Sequence, residues 1–238
     1  DSFGINHKKN FGKTGIVGEI NFGDGPTIAL RADMDALPIQ ETGNLEYKSK
    51  NEGVMHACGH DGHMAILLGA ANVLSQSKII KQGKVRFIFQ PAEEGGGGAR
   101  YMIEDGCLDD VDEIYGLHLW NYQPLGEVGV KSGPIMAAAD TFDLTINGRG
   151  GHAAMPNQCI DPIFIASQVL NAYQSIPSRK TNPLDSVVIS ITKIQAGDTY
   201  NIIPDSVTMK GTVRTFHKDT QKHTLENMRK IAEGICKS

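Results

Sequence analysis

Apolar and polar positions along this chain follow two different periods. "TGIVGEINF" (14–22) and "TIALRAD" (27–33), separated by the turn sequence "GDGP", and later "KVRFIFQP" (84–91), are β-rich runs that predict strands. Between them, "DGHMAILLGAANVLSQ" (61–76) carries apolar residues at helical spacing. "GGARYMIEDGC" (97–107) predicts a short helix closed by Gly106, and "DEIYGLHL" (112–119) a further apolar strand. Strands alternating with helices point to an α/β layer structure, in which functional groups gather at the carboxyl ends of the strands.

The texture changes at residues 133–138. "DTFDLTING" (140–148) alternates like a half-exposed strand, and "DPIFIASQVLNAYQSI" (161–176) is an amphipathic helix with Pro162 near its first turn. "DSVVISITKIQAG" (185–197) and "SVTMKGTVRTF" (206–216) predict two strands with a turn at "NIIPD". "DTQKHTLENMRKIAEGI" (219–235) predicts a second helix capped by Asp219 or Thr220. The expected organisation is therefore an α/β domain over 1–135 and an α+β domain over 136–238. The second domain has the order β-α-β-β-α, one strand short of a ferredoxin-like β-α-β-β-α-β unit. A chain that opens on Asp1 and stops just after a helical pattern is expected to be cut at both ends.

Composition narrows the function. With 238 residues and 40% hydrophobic content the chain can bury substantial cores. A net charge of -4, with both signs interspersed, offers no basic stripe for a phosphate backbone and argues against nucleic acid as a partner. No run is long and apolar enough to suggest a membrane span. The cysteines at 58, 107, 159 and 236 form no C-x-x-C pair, so free or metal-bound thiols are expected, and a reducing, cytoplasmic location fits.

Five stretches carry candidate chemistry. "GVMHACGHDGHMA" (53–65) concentrates histidine and cysteine. The two-residue spacing of Cys58 and His60 lets both side chains point the same way just before the helix, and imidazole and thiolate are ligands that Zn²⁺ and similar metals select. His56 and His63 read rather as supporting or packing residues. Asp33 and Asp35 end a strand, where a period of two places them on one side and in need of a cation or shared proton. In "FQPAEEGGGGA" a buried strand runs out into Glu93 and Glu94, of which one can ligate a metal while the other faces a water to be activated. His118 follows another strand. Alone each of these has an ordinary structural explanation, but Asp33, Cys58, Glu94 and His118 all fall where successive β elements end on one sheet edge. His152 lies in a glycine-rich bend, "NGRGGHAAMP", where an imidazole can hydrogen-bond a developing oxyanion. His7, His217 and His223 are assigned no role.

"RADMDALPI", "MHACGHDGHMA", "FQPAEEGGGGA", "GLHLW" and "GRGGHAAMP" together, in this order, resemble the M20 metallopeptidase family, in particular its amidohydrolase branch. The resemblance implies a mixed-sheet catalytic domain with helices on its faces and an inserted ferredoxin-like lid and dimerisation domain. It also implies hydrolysis of N-acyl amino acids, of the hippurate or N-acetyl type, by water activated between two divalent metal ions. Zn²⁺ or Mn²⁺ is expected, with Co²⁺ or Ni²⁺ as alternatives. By matching position, Cys58, His60, Glu94 and His118 would be metal ligands and Glu93 the general base. Asp33 would be a further active-site acid, with Asp35 in support. His152 would polarise the amide carbonyl, often at the neighbouring subunit's site, and Asn201 in "NIIPD" would contact substrate. A homodimer is implied. Family members also carry an N-terminal helical segment and a C-terminal part with a final histidine ligand, neither of which is present in these residues. The competing reading is a non-catalytic metal-binding or dimerisation fragment; a redox role for Cys58 lacks a nearby resolving cysteine.

Overall fold

The computed structural model describes residues 2–238. The chain divides into two compact units, the first ending at Glu127 and the second running Val128–Ser238. Residues 128–137 hold no helix or strand, so no periodicity in the sequence marks a border there, and the change of texture is felt only at 133–138.

The first unit is a five-stranded mixed sheet. Its strands are β1 (Asn6–Phe11), β2 (Gly15–Asn21), β3 (Thr27–Asp33), β4 (Lys84–Gln90) and β5 (Glu113–Gly116), in the order β1-β2-β4-β3-β5. β1, β2 and β4 pair antiparallel, whereas β3 runs parallel to both β4 and β5. The "GDGP" turn therefore does not close a hairpin: β4 lies between β2 and β3. Its central place explains its two-sided apolar character. Phe87 packs with Ala32, Leu67 and Ala71 on the face covered by α1 (His60–Ser75), while Ile88 packs with Ala29, Met102 and Cys107 on the face covered by α2 (Gly98–Glu104). β1 carries no strand signal in the sequence because the five residues before Phe11 in "NHKKNF" are all polar. It is an edge strand held by its ladder to β2, with a bulge between Lys9 and Phe11. β5, at the opposite edge, is exposed along its length despite its apolar composition.

The second unit has the expected β-α-β-β-α order. β6 (Ala138–Asn147), α3 (Pro162–Tyr173), β8 (Val187–Ala196), β10 (Ser206–Thr215) and α4 (Lys218–Cys236) build it, with an antiparallel sheet ordered β6-β10-β8. Two short strands, β7 (Gly151–His152) and β9 (Ile202–Ile203), form a separate ribbon where the sequence suggests only bends. The core is Val169, Tyr173, Ile176, Val207, Met209, Val213 and Met228, each worth roughly 1.5–3 kcal/mol on burial for the aliphatic members. Asp161 caps α3, accepting from the N–H groups of Ile163 and Phe164, with Pro162 in the first turn where its missing N–H costs nothing. α4 starts two or three residues earlier than the sequence suggests. Its N-cap is His217, because Asp219 already lies inside the first turn and the Thr220 hydroxyl donates to Asp185 instead.

Candidate metal centre

β3 and β4 are parallel, as are β3 and β5, so their carboxyl ends lie on one edge of the first unit, and the candidate residues sit just at or beyond those ends. Asp33 closes β3, Glu93 and Glu94 follow β4 by way of Pro91 and Ala92, and His118 follows β5. Cys58 precedes α1, and His60 is the first residue of that helix rather than part of an extended segment. The buried stripe of α1 is His60, His63, Leu67 and Ala71, a helical spacing that carries both imidazoles toward the sheet.

Hydrogen bonding fixes the imidazole tautomers. His60 Nδ1 lies 3.0 Å from the carbonyl oxygen of Asp35, which can only accept, so Nδ1 carries the proton and Nε2 presents its lone pair. That Nε2 is buried and, among the described residues, has no hydrogen-bond partner. It points toward Glu94 Oε1 at 3.8 Å and Asp33 Oδ2 at 3.7 Å. His118 Nδ1 is likewise 2.6 Å from the Leu119 carbonyl oxygen, which leaves its Nε2 lone pair facing Cys58 Sγ at 3.5 Å. Ligand atoms of Cys58, His60 and His118 lie within 4.8 Å of one another, as do those of His60, Glu93 and Glu94.

The electrostatics of this cluster call for a cation. Burial, and then the Glu94, Glu93 and Asp33 carboxylates, push the Cys58 thiol up to about 11. A divalent ion among the same groups reverses that balance, because a coordinating thiol is deprotonated. The unpartnered His60 Nε2, the facing His118 Nε2, the thiol and the two carboxylates make a borderline-soft N, S and O donor set that fits such an ion.

Asp33 and Asp35 both reach the His60 ring, Asp33 Oδ2 lying 3.7 Å from Nε2 and Asp35 Oδ1 3.3 Å from Nδ1. β3 ends at Asp33, and the Met34 N–H continues its parallel ladder by donating to the Gln90 carbonyl, so Asp35 lies just beyond the strand. Asp33 is only 2% exposed and both its oxygens are engaged, Oδ2 by Arg31 at 2.7 Å and Oδ1 by His63 at 2.6 Å. Burial alone would raise its pKa, but the His63 hydrogen bond and the Arg31 guanidinium outweigh it and hold the carboxyl below the usual value. Asp35 Oδ2 accepts from the Glu94 N–H at 2.9 Å, and a cavity of about 590 Å³ opens beside it, lined by Leu37, Pro38, Pro91, Glu94 and Gly95 among others. His56 Nδ1 lies 3.2 Å from the Asp35 carbonyl, a supporting contact.

In the second unit, the β7–β9 ribbon brings His152 and Asn201 together. His152 pairs with Ile202, and the Ala153 N–H donates to the Asn201 carbonyl at 3.0 Å. His152 Nδ1 accepts from the Ala154 N–H at 3.2 Å, which places its proton on Nε2, an exposed donor.

All four cysteines are free thiols, and no helix is long and apolar enough to cross a membrane among the described residues.

Known proteins resemble this chain in sequence and fold. The chain is 51% identical over 225 residues to an N-acetylcysteine deacetylase of Bacillus subtilis, covering 94% of this chain and 59% of that protein. It is 48% identical over 215 residues to an N-acyl-L-amino acid amidohydrolase of Geobacillus stearothermophilus, covering 90% and 58% respectively. Among solved structures, a Bacillus subtilis dinuclear metal-binding peptidase of the M20 family superposes with a TM-score of 0.82 at 45% identity, over 99% of this chain and 61% of that one. The chain thus spans a little under two thirds of the length of these relatives. The profile of Peptidase family M20/M25/M40 matches residues 29–234, and the chain belongs to that family.

Proposed function

We propose that this chain carries the metal-holding half of a hydrolase that cleaves the amide bond of N-acyl amino acids. The observation that carries the proposal is the buried, unpartnered Nε2 of His60, aimed at a cluster of thiol, imidazole and carboxylate groups at the carboxyl edge of a parallel strand set. Cys58, His60, Glu94 and His118 would hold two divalent ions, Zn²⁺ or Mn²⁺ by donor chemistry, with Co²⁺ or Ni²⁺ as alternatives. Such ions, when bound, acidify water and polarise a carbonyl.

Glu93 is the proton carrier in this reading. It is exposed, neighbours the ligand Glu94, and shares the His60 cluster without a committed partner role, which suits a group that takes a proton from water and returns it to the leaving amine. Asp35 holds the ligands His60 and Glu94 in place. Asp33 was expected as a further active-site acid, but its two engaged oxygens support a holding role as well. The exposed Nε2–H of His152 is a donor suited to an oxyanion, and Asn201 beside it suits a substrate contact. The second unit would act as lid and dimerisation domain, and the protein would work as a homodimer in the cytoplasm.

Metal titration combined with hydrolysis of hippurate and N-acetyl amino acids tests this reading. Two ions bound and metal-dependent turnover are expected of the full-length protein. Metal bound without turnover favours a non-catalytic metal-binding or dimerisation module.

A further inference from the structure

His63 is placed by the helical stripe beside His60, yet neither of its ring nitrogens is available to a metal. Nε2 accepts from the Leu119 backbone N–H at 2.9 Å, so the ring proton sits on Nδ1, which donates to Asp33 Oδ1 at 2.6 Å. The ring is 2% exposed and stacks edge-on against His118, with centroids 4.6 Å apart. It is thus a rigid spacer between a buried carboxylate and the residue that follows His118.

The first turn of α1 is shaped to receive that same residue. A Cβ on Gly62 would lie 2.3 Å from Leu119 Cδ1, and one on Gly59 3.6 Å from Leu119 Cβ. Glycine at 62 therefore makes room for the leucine side chain while His63 holds its backbone. The anchor is deep: Asp33 is gripped by Arg31, whose Nε and second terminal nitrogen donate to Gln90 Oε1 at 2.9 and 2.8 Å. The line Gln90–Arg31–Asp33–His63–Leu119 ties the ends of β4 and β3 to α1 and to the segment beyond β5. That segment needs tying, because the β5 ladder stops at Gly116 and leaves 117–119 outside the sheet.

We infer that His63 is a positioning residue for the ligand His118, acting through the Leu119 amide, with Gly62 as the seat for the Leu119 side chain. The inference rests on the metal-centre reading above. Its energetic content is pre-organisation: with Leu119 held, the His118 Nδ1 bond to the Leu119 carbonyl fixes the imidazole that faces Cys58.

The test is Zn²⁺ affinity by calorimetry against a competing chelator, with thermal unfolding measured alongside. His63→Asn keeps a donor to Asp33 and loses the Leu119 bond. It is expected to weaken zinc binding about 10–100-fold, the usual effect of disturbing a ligand's support. In a His118→Ala background the same change is expected to leave affinity unchanged, because the group it positions is gone. Gly62→Ala is expected to weaken binding as well, and adding Leu119→Ala, which removes the clashing atom, to restore much of it; this pair decides the matter if His63→Asn does not fold. Equal losses with and without His118, or no loss from His63→Asn, overturn the inference while the metal centre stands. A wild-type chain that binds no zinc, or a His118→Ala variant with undiminished affinity, removes the centre itself and the inference with it.

Discussion

Asp35 braces His60 and Glu94 together: its carbonyl oxygen accepts a hydrogen bond from His60 Nδ1 at 3.0 Å, while its carboxylate Oδ2 accepts from the Glu94 N–H at 2.9 Å. One residue thus orients two candidate ligands that come from different elements. Burial raises its pKa, but the N–H groups of Glu94 and Glu93 more than compensate, so it stays ionised at neutral pH. Asp35→Ala orphans the Glu94 N–H and frees the loop after β4. It is expected to lower metal affinity about 10–100-fold with the fold retained, as read by metal titration and circular dichroism. An unchanged affinity would mean that Asp35 is a loop residue only.

Glu93 and Glu94 are adjacent in sequence but differ in their tasks. Glu93→Gln keeps the shape and removes the proton carrier. It is expected to retain bound metal and to lose about 10²- to 10⁴-fold in turnover in the full-length protein. Glu94→Gln is expected to lose metal. Metal analysis of the two variants side by side separates the roles, and the opposite pattern exchanges them.

The sequence disclosed most of this centre for a physical reason. Groups at strand ends announce themselves, because an apolar run must stop where a polar group begins, and three such stops carry Asp33, Glu94 and His118, whereas Cys58 precedes α1 and follows no strand. What it concealed were relationships that depend on three dimensions. The commitment of both Asp33 oxygens depends on Arg31 two residues back and on His63 thirty residues ahead. The strand β1 has no alternation to betray it, since Asn6–Asn10 are all polar and only Phe11 reaches a core. His63 was legible as one helical step from His60 on the Leu67–Ala71 stripe, but its grip on Leu119 was not.

Glycines of the first unit differ sharply in what they tolerate. A Cβ on Gly98 would sit 1.8 Å from the Pro91 carbonyl oxygen, in the loop where Ala92 already adopts a left-handed φ of 52°. Gly69, inside α1, has nothing within 4 Å of the same position. Gly98→Ala is expected to destabilise the first unit by at least about 1–3 kcal/mol and to weaken metal binding by shifting Glu94. Gly69→Ala is expected to stabilise by roughly 0.5–1 kcal/mol through helix propensity and to leave metal binding unchanged. Thermal unfolding of the two variants measures both.

Tyr173 offers a pH-dependent probe of the second unit. Its ring is buried, edge-on to Phe142 with centroids 6.2 Å apart. Burial first, and then the charge of the Cys236 thiolate, raise its pKa from 10.0 to about 12. The folded state therefore holds the phenolic proton more tightly than the unfolded chain does. The stabilisation is fully present below about pH 10 and is lost as pH rises from there toward about 12, an effect on the order of 2 kcal/mol. Tyr173→Phe retains the ring and removes the titration. Denaturant unfolding across that alkaline window should fall less steeply for the variant than for the wild type. Parallel curves would show that the Tyr173 hydroxyl reaches solvent without unfolding.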